Sequence, residues 1–151
     1  MEYSIILRTQ FTQEKFANYI YKIMLDKVKI EVSYEKNSQE IAIWCEYMTM
    51  LIDTDEVEIS DYYRKEHGLS ATNEIWLEMM PKNINEGFKV LFTVFNYIIN
   101  DLDIDFVLED TNSFKIILGK RGEYFYTQLV KDGKVEFPIH LIERTVVREF
   151  E

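Results

Sequence analysis

One long apolar segment, residues 83–101, most constrains how this chain can fold. Five of its apolar side chains recur at helical spacing and so share one face of a predicted helix; they are Phe88, Leu91, Phe92, Phe95 and Ile99. Further apolar residues widen this face, as is typical of a helix that is buried on most sides. Asn83, three residues before Glu86, predicts the start of the helix as a capping box, and Asn100 and Asp101 predict its end.

Two segments that follow this helix alternate apolar and polar residues, and together they predict a β-hairpin. With residues 109–113 as the loop, six apolar side chains would share one buried face. The predicted register pairs Ile104 with Leu118, Phe106 with Ile116, and Leu108 with Phe114. A turn with glycine at both ends, residues 119–122, predicts a third strand over residues 123–129.

The first half of the chain predicts a second helix and further strands. Thr12 is placed to cap a helix with a clear apolar stripe; the stripe consists of Phe16, Tyr19, Ile20, Ile23 and Met24. Strands are predicted over residues 3–7, 28–34, 41–46 and 74–80, whereas residues 47–64 favour either a strand or irregular structure. Alternating strands indicate a mainly antiparallel sheet with one covered face. We therefore predict a single α+β domain over residues 1–151, with a mainly antiparallel β-sheet covered on one face by two principal helices.

Charge and composition narrow the classes of function. The net charge is −10, and residues 37–110 hold sixteen acidic and four basic groups. Such a chain is a poor match for nucleic acid, because neutralising phosphates requires clustered Lys and Arg. No apolar run is long enough to span a membrane, and no secretory signal is visible. With a single cysteine, Cys45, a reducing cytoplasm is the expected location.

Three aspartates resemble the first half of a calcium-binding loop. They are Asp101, Asp103 and Asp105. Such a loop requires glycine at its sixth position and glutamate at its twelfth, where this chain has Phe106 and Asn112. On a strand, the three carboxylates would instead form a solvated face. We therefore predict no metal site.

No local motif predicts catalysis. The two histidines, His67 and His140, are far apart in the chain, and nothing near Cys45 marks it as a nucleophile. Glu74 and Glu78 could serve as acid and base, but such pairs arise by chance among 27 acidic residues. Function has to be argued from a site, so we expect a non-enzymatic protein without a cofactor.

The densest acidic segment fits either a solvated surface or a docking surface for a basic partner. Five carboxylates fall within nine residues, and two tyrosines follow directly, as expected of aromatic contacts inside a charged rim. The candidate residues are Asp53, Asp55, Glu56, Glu58, Asp61, Tyr62 and Tyr63, with Asp101, Asp103 and Asp105 as a second group. Trp76 either faces outward beside Glu74 and Glu78 or enters a second buried face.

Several segments, in order, resemble one family of bacterial proteins. They are residues 2–7 (EYSIIL), 66–69 (EHGL), 73–79 (NEIWLEM), 87–98 (GFKVLFTVFNYI), 103–112 (DIDFVLEDTN) and 115–122 (KIILGKRG). The family is the SitI-like immunity proteins, which protect bacteria from contact-delivered toxins of the swarming-inhibition type.

This resemblance implies a protein that binds and neutralises a cognate toxin in the cytoplasm of the producing cell. The charge of this chain, and not the resemblance, adds a hypothesis: many such toxins attack nucleic acid through a basic cleft, which an acidic inhibitor could occupy. The alternative is a small acidic protein-binding or regulatory module with a non-toxin partner. Neither the toxin-binding function nor this alternative predicts binding to a membrane or to nucleic acid.

Overall fold

The described strands form one mainly antiparallel sheet. The computed structural model describes residues 1–38, 40–53, 73–102, 104–110, 115–120, 123–126, 137–141 and 147–149. Within these ranges nine strands lie in the order β2-β3-β4-β5-β1-β6-β7-β8-β9, and only the β8–β9 pair is parallel. The strands are β1 Glu2–Leu7, β2 Ser33–Lys36, β3 Ile41–Trp44, β4 Met48–Asp53, β5 Asn73–Met79, β6 Phe106–Asp110, β7 Lys115–Lys120, β8 Glu123–Tyr126 and β9 Val147–Glu149.

Two principal helices accompany the sheet. Helix α1 is Gln13–Lys22, and the backbone continues directly as a π-helix over Ile23–Val28. Thr12 caps α1 as predicted, accepting a hydrogen bond from the backbone N–H of Lys15 at 3.4 Å. Helix α2 is Ile84–Leu102, which begins directly after Asn83 and ends one residue beyond Asp101. Short 3₁₀ turns occupy Pro81–Asn83 and Ile139–Leu141. None of the helices in the described residues is long and apolar enough to cross a membrane.

Both helices pack on the same side of the sheet, which we call the inner face. The ring of Tyr3 in β1 meets Phe88 of α2 with centroids 5.1 Å apart, and Phe106 in β6 meets Phe95 at 4.5 Å. Buried side chains of α1 join the same apolar cluster as the inward residues of β3 and β4. The chain therefore has the predicted α+β architecture, with one sheet face covered by two helices.

The hairpin between β6 and β7 forms in a different register from the predicted one. Phe106 lies opposite Gly119, and Leu108 lies opposite Ile117. A bulge after Leu108 then brings Glu109 opposite Lys115. The register differs from the predicted one by an odd number of residues, so Leu118 lies opposite Val107 and not opposite Ile104. Periodicity places apolar residues on faces, but it leaves the pairing free to slide when a bulge adds a residue.

The predicted strand over residues 28–34 is wrong for its first five residues. The π-helix extends to Val28, and Lys29 then adopts a left-handed conformation with φ of 60°. The N–H groups of Lys29 and Ile30 both bond the carbonyl of Met24, which ends the helix. Strand β2 begins only at Ser33. Val32 is nevertheless buried, so the apolar alternation reports contact with the core rather than strand backbone.

The opposite side of the sheet, which we call the outer face, varies from buried to open. Residues that alternate with the inward ones occupy it: Ser4 and Ile6 in β1, opposite Trp76 and Glu74 in β5. Ile6 and Val107 are fully buried there, whereas Trp76 is 45% exposed. Alternation along β1 places Ile6 on this side, and its burial shows that part of the outer face is covered.

Candidate functional site

Two exposed tryptophans define the open part of the outer face. Trp76 in β5 is 45% exposed and lies opposite Leu51 of β4, and Trp44 in β3 is 37% exposed and lies opposite Thr49 of the same strand. From strand spacing and rise, the two Cα atoms are roughly 12 Å apart. Large aromatic side chains with their faces in water are the residues that most often anchor a protein partner. The predicted alternative in which Trp76 faces outward beside Glu74 and Glu78 is confirmed.

Carboxylates surround these tryptophans. At the outward positions of β1 to β6 there is no lysine or arginine among the described residues, whereas six positions are acidic. These are Glu2, Glu35, Asp53, Glu74, Glu78 and Glu109. We call Trp44, Trp76 and these six residues the tryptophan face.

Two like-charged pairs lie directly opposite one another on this face. Glu2 faces Glu78 across β1 and β5, and Asp53 faces Glu74 across β4 and β5. Like charges at opposing positions destabilise a sheet. Their presence on one face therefore favours a role outside folding, such as attraction of a positively charged partner.

Two carboxylates of the tryptophan face are buried. Glu74 is 6% exposed and Glu109 is 4% exposed, and Ser4 lies between their strands. Burial, together with the charges of Asp53 and Glu109, raises the pKa of Glu74 to about 7, while hydrogen bonds that Ser4 and Trp76 donate to its carboxylate partly oppose the rise. Glu74 therefore changes its charge near neutral pH, and it holds the indole of Trp76.

Replacing Glu74 by glutamine is expected to remove a pH dependence of stability. The ordinary pKa of this group is 4.5 and its folded pKa is about 7, so between those values the folded chain binds more protons than the unfolded chain. The free energy of unfolding of the wild type should therefore fall as the pH rises through this window. The full shift corresponds to roughly 3 kcal/mol, which partial access of water reduces to about 1–2 kcal/mol. Urea unfolding at pH 4.5 and pH 8 measures the difference.

Glu78 supplies a matched control on the same strand and face. It is exposed, so Glu78→Gln should change stability by no more than about 0.5 kcal/mol at either pH. The indole N–H signal of Trp76 should titrate in the wild type with a midpoint near 7 and stay constant in Glu74→Gln. A fall in stability between pH 4.5 and pH 8 that is as large in Glu74→Gln as in the wild type and in Glu78→Gln would contradict the assignment to Glu74.

Of the predicted acidic segment, Asp53 is the residue that lies in the described part of the chain. It ends β4 on the tryptophan face, opposite Glu74. The remaining predicted residues lie outside the described part of the chain: Asp55, Glu56, Glu58, Asp61, Tyr62 and Tyr63.

The second predicted group does not join Asp53. Asp101 is in α2, on the helix side of the sheet, and accepts a hydrogen bond of 2.6 Å from the hydroxyl of Tyr19. Asp105 precedes β6, and its backbone carbonyl accepts a bond from the N–H of Arg8. Both aspartates line an open cavity of about 510 Å³ with Arg8. Asp103 lies outside the described residues, and the prediction of one strand carrying all three carboxylates is wrong, because the helix extends through Asp101.

The described residues include no group of three or more His, Cys, Asp and Glu side chains arranged to hold a metal ion. Cys45 is half-buried in the turn between β3 and β4. Its N–H bonds the carbonyl of Met48 at 3.0 Å, so its backbone helps to close that turn.

No protein-family model, curated protein or solved structure matches this chain. The tryptophan face and the resemblance to SitI-like proteins are therefore the two observations that bear on function.

The sequence did not mark four members of this face as candidates: Trp44, Glu2, Glu35 and Glu109. Each is an isolated residue on its own strand, and they come together only through the strand order β2-β3-β4-β5-β1-β6. A signal was present in β5, where Glu74, Trp76 and Glu78 alternate with buried apolar residues.

Proposed function

We propose that this chain is a non-enzymatic binding protein that holds a basic partner protein against its tryptophan face. The observation that carries the proposal is the pair of exposed tryptophans, Trp44 and Trp76, set among carboxylates without an outward lysine or arginine in the described residues of β1 to β6. Aromatic anchors inside a charged rim provide affinity, while the surrounding charge speeds association and rejects acidic competitors.

The resemblance to SitI-like proteins supports a specific form of this proposal. The partner is then a cognate bacterial toxin, and the chain is an immunity protein that neutralises it in the cytoplasm of the producing cell. A toxin that acts on nucleic acid carries a basic cleft, to which the acidic face is complementary in charge.

The alternative is a small regulatory module that uses the same face for a non-toxin partner. The face serves both, because its chemistry specifies a basic protein surface and not the activity of that protein. A gene position away from any toxin gene would favour this alternative.

A growth assay tests the toxin form. A candidate toxin, identified as a basic protein encoded beside this gene, is expressed in a sensitive bacterial host with wild-type protein, with a Trp44→Ala/Trp76→Ala variant, or with Tyr97→Ala. Tyr97 is a matched control, because it is also an exposed aromatic residue, 41% accessible, but belongs to α2 on the other side of the sheet. Growth should be restored by wild type and Tyr97→Ala and lost with the double variant.

The same purified pair tests the role of charge. Binding between exposed charges is screened by salt, so the dissociation constant should rise between 50 mM and 500 mM salt, mainly through slower association. Rescue of growth by the folded double variant would overturn the assignment of the face. Absence of binding between wild type and the neighbouring toxin would transfer support to the alternative.

A further inference from the structure

A pocket of about 310 Å³ opens beside Trp44 at one end of the tryptophan face. It lies where the turn between β3 and β4 meets the segment that enters β2. Its lining includes Ile30, Glu31, Ser33, Trp44, Glu46 and Tyr47. Its volume is at the lower end of the range of sites that bind small groups, so it suits one side chain rather than a whole ligand.

The lining combines an aromatic face, an apolar wall and negative charge. Trp44 is 37% exposed and stands opposite Ser33 across β2 and β3. Glu31 and Glu46 are exposed carboxylates on the two sides of the pocket, and no lysine or arginine is among the described residues that line it. The negative charge of Glu46, with partial desolvation and a hydrogen bond between the two side chains, raises the pKa of the Tyr47 hydroxyl.

The carboxylates of this pocket are not those used by the ion pairs of the described chain. Those pairs join Lys36 to Glu14 at 2.8 Å and Lys89 to Glu86 at 3.1 Å. Glu31 and Glu46 therefore give the pocket a negative potential that is available to a group entering from outside. A cation is the complementary group.

We propose that this pocket receives an arginine side chain of the basic partner, an inference that rests on the proposed function above. The planar guanidinium stacks on the indole of Trp44 and donates hydrogen bonds to Glu31 or Glu46. Its aliphatic stem lies against Ile30. Lysine fits less well, because its ammonium ion is strongly hydrated and cannot stack on the indole or form a planar two-point contact with a carboxylate.

Small probes test the pocket without any protein partner. The chain has two tryptophans, so an ¹⁵N-labelled sample of the full chain gives two indole N–H signals, which Trp44→Phe assigns. N-acetyl-arginine amide is titrated to about 100 mM, the range needed for a single side chain bound with a dissociation constant in the millimolar range. N-acetyl-lysine amide and the neutral isostere N-acetyl-citrulline amide are titrated in parallel at constant ionic strength.

The arginine probe should move the Trp44 signal in a saturable way and leave Trp76 in place. The lysine probe should bind more weakly, and the citrulline probe should cause no saturable shift. Glu31→Gln/Glu46→Gln should weaken arginine binding about tenfold, since it removes the charge contacts and leaves the indole contact. Glu40→Gln, an exposed carboxylate between β2 and β3 that belongs neither to the pocket lining nor to the tryptophan face, is the matched control and should have no effect.

Three results would overturn the proposal: a Trp44 signal that does not respond to arginine, an equal response to citrulline, or unchanged arginine binding by a double variant whose spectrum shows a folded chain. Failure here is distinguishable from failure of the proposed function. A silent Trp44 together with partner binding that requires Trp76 removes the pocket and keeps the docking face. A responsive Trp44 together with partner binding that ignores both tryptophans keeps the pocket and removes the docking face.

Discussion

Replacing Phe88 by alanine should lower the free energy of unfolding by about 3–5 kcal/mol. Phe88 is fully buried, and its ring lies 4.7 Å from Phe137, 5.1 Å from Tyr3 and 6.2 Å from Phe92, measured between centroids. The substitution removes apolar surface from the core and leaves a cavity between α2 and β1 that these neighbouring rings cannot close. Equilibrium unfolding in urea, followed by circular dichroism, measures the loss.

Tyr97→Ala is the control for this effect, because it truncates an exposed aromatic residue of the same helix. Its cost should not exceed about 0.5 kcal/mol beyond the small difference in helix propensity. Phe88→Leu should fall between the two, since leucine refills part of the volume. If Phe88→Ala cost less than about 1 kcal/mol, the packing of α2 on β1 described here would be wrong.

Replacing Trp76 by alanine should weaken binding to the partner by about 30-fold or more. A tryptophan at the centre of an interface typically contributes at least about 2 kcal/mol, which is about a factor of 30 in the dissociation constant. Trp76 occupies the outer face at β5, next to the central strand β1, and Glu74 holds its indole by a hydrogen bond. Calorimetric titration of the purified partner with each variant measures the change.

Measuring the stability of each variant distinguishes a loss of binding contacts from a loss of folded protein in this experiment. Trp76 is 45% exposed, so Trp76→Ala should lower the urea midpoint of unfolding much less than Phe88→Ala does. Tyr97→Ala should bind within about twofold of the wild type, as is usual for a residue outside an interface. Equal binding by Trp76→Ala and wild type would mean that the partner uses another surface.

The helices and the fold class could be predicted from the sequence because they depend on local periodicity. The spacing of the apolar residues in α2 determines which side of the helix is apolar, independently of the rest of the chain. Thr12 and Asn83 lie directly before the first residues of the two helices. The α+β class then followed from alternating strands between amphipathic helices.

The registers and most strand partners could not be predicted, because they depend on which segments distant in the chain pair with each other. The odd shift between β6 and β7 depends on the bulge after Leu108, which no spacing rule indicates. The π-helix that displaces the start of β2 likewise depends on the capping bonds of Lys29 and Ile30 to Met24.

The candidate site was predicted in part. Asp53 and Trp76 were named from charge density and from position on β5, and both lie on the tryptophan face. The special environment of Glu74 was beyond the sequence, since its pKa depends on burial and on Asp53 and Glu109 from two other strands. Glu74 was named only as one half of a chance acidic pair, whereas the structure joins it to Trp76.

The position of β1 in the sheet has a consequence for synthesis on the ribosome. Ile5 pairs with Ile75 on one side and with Leu108 on the other, so β1 is synthesised well before either of its neighbouring strands. At about 5–20 residues per second, the edge that pairs with β5 stays open for roughly 4–14 s, and the edge that pairs with β6 for roughly 5–20 s. An open apolar edge is a template for aggregation. The yield of folded chain in a cell should therefore depend on chaperone capacity during translation as well as on the stability of the finished molecule.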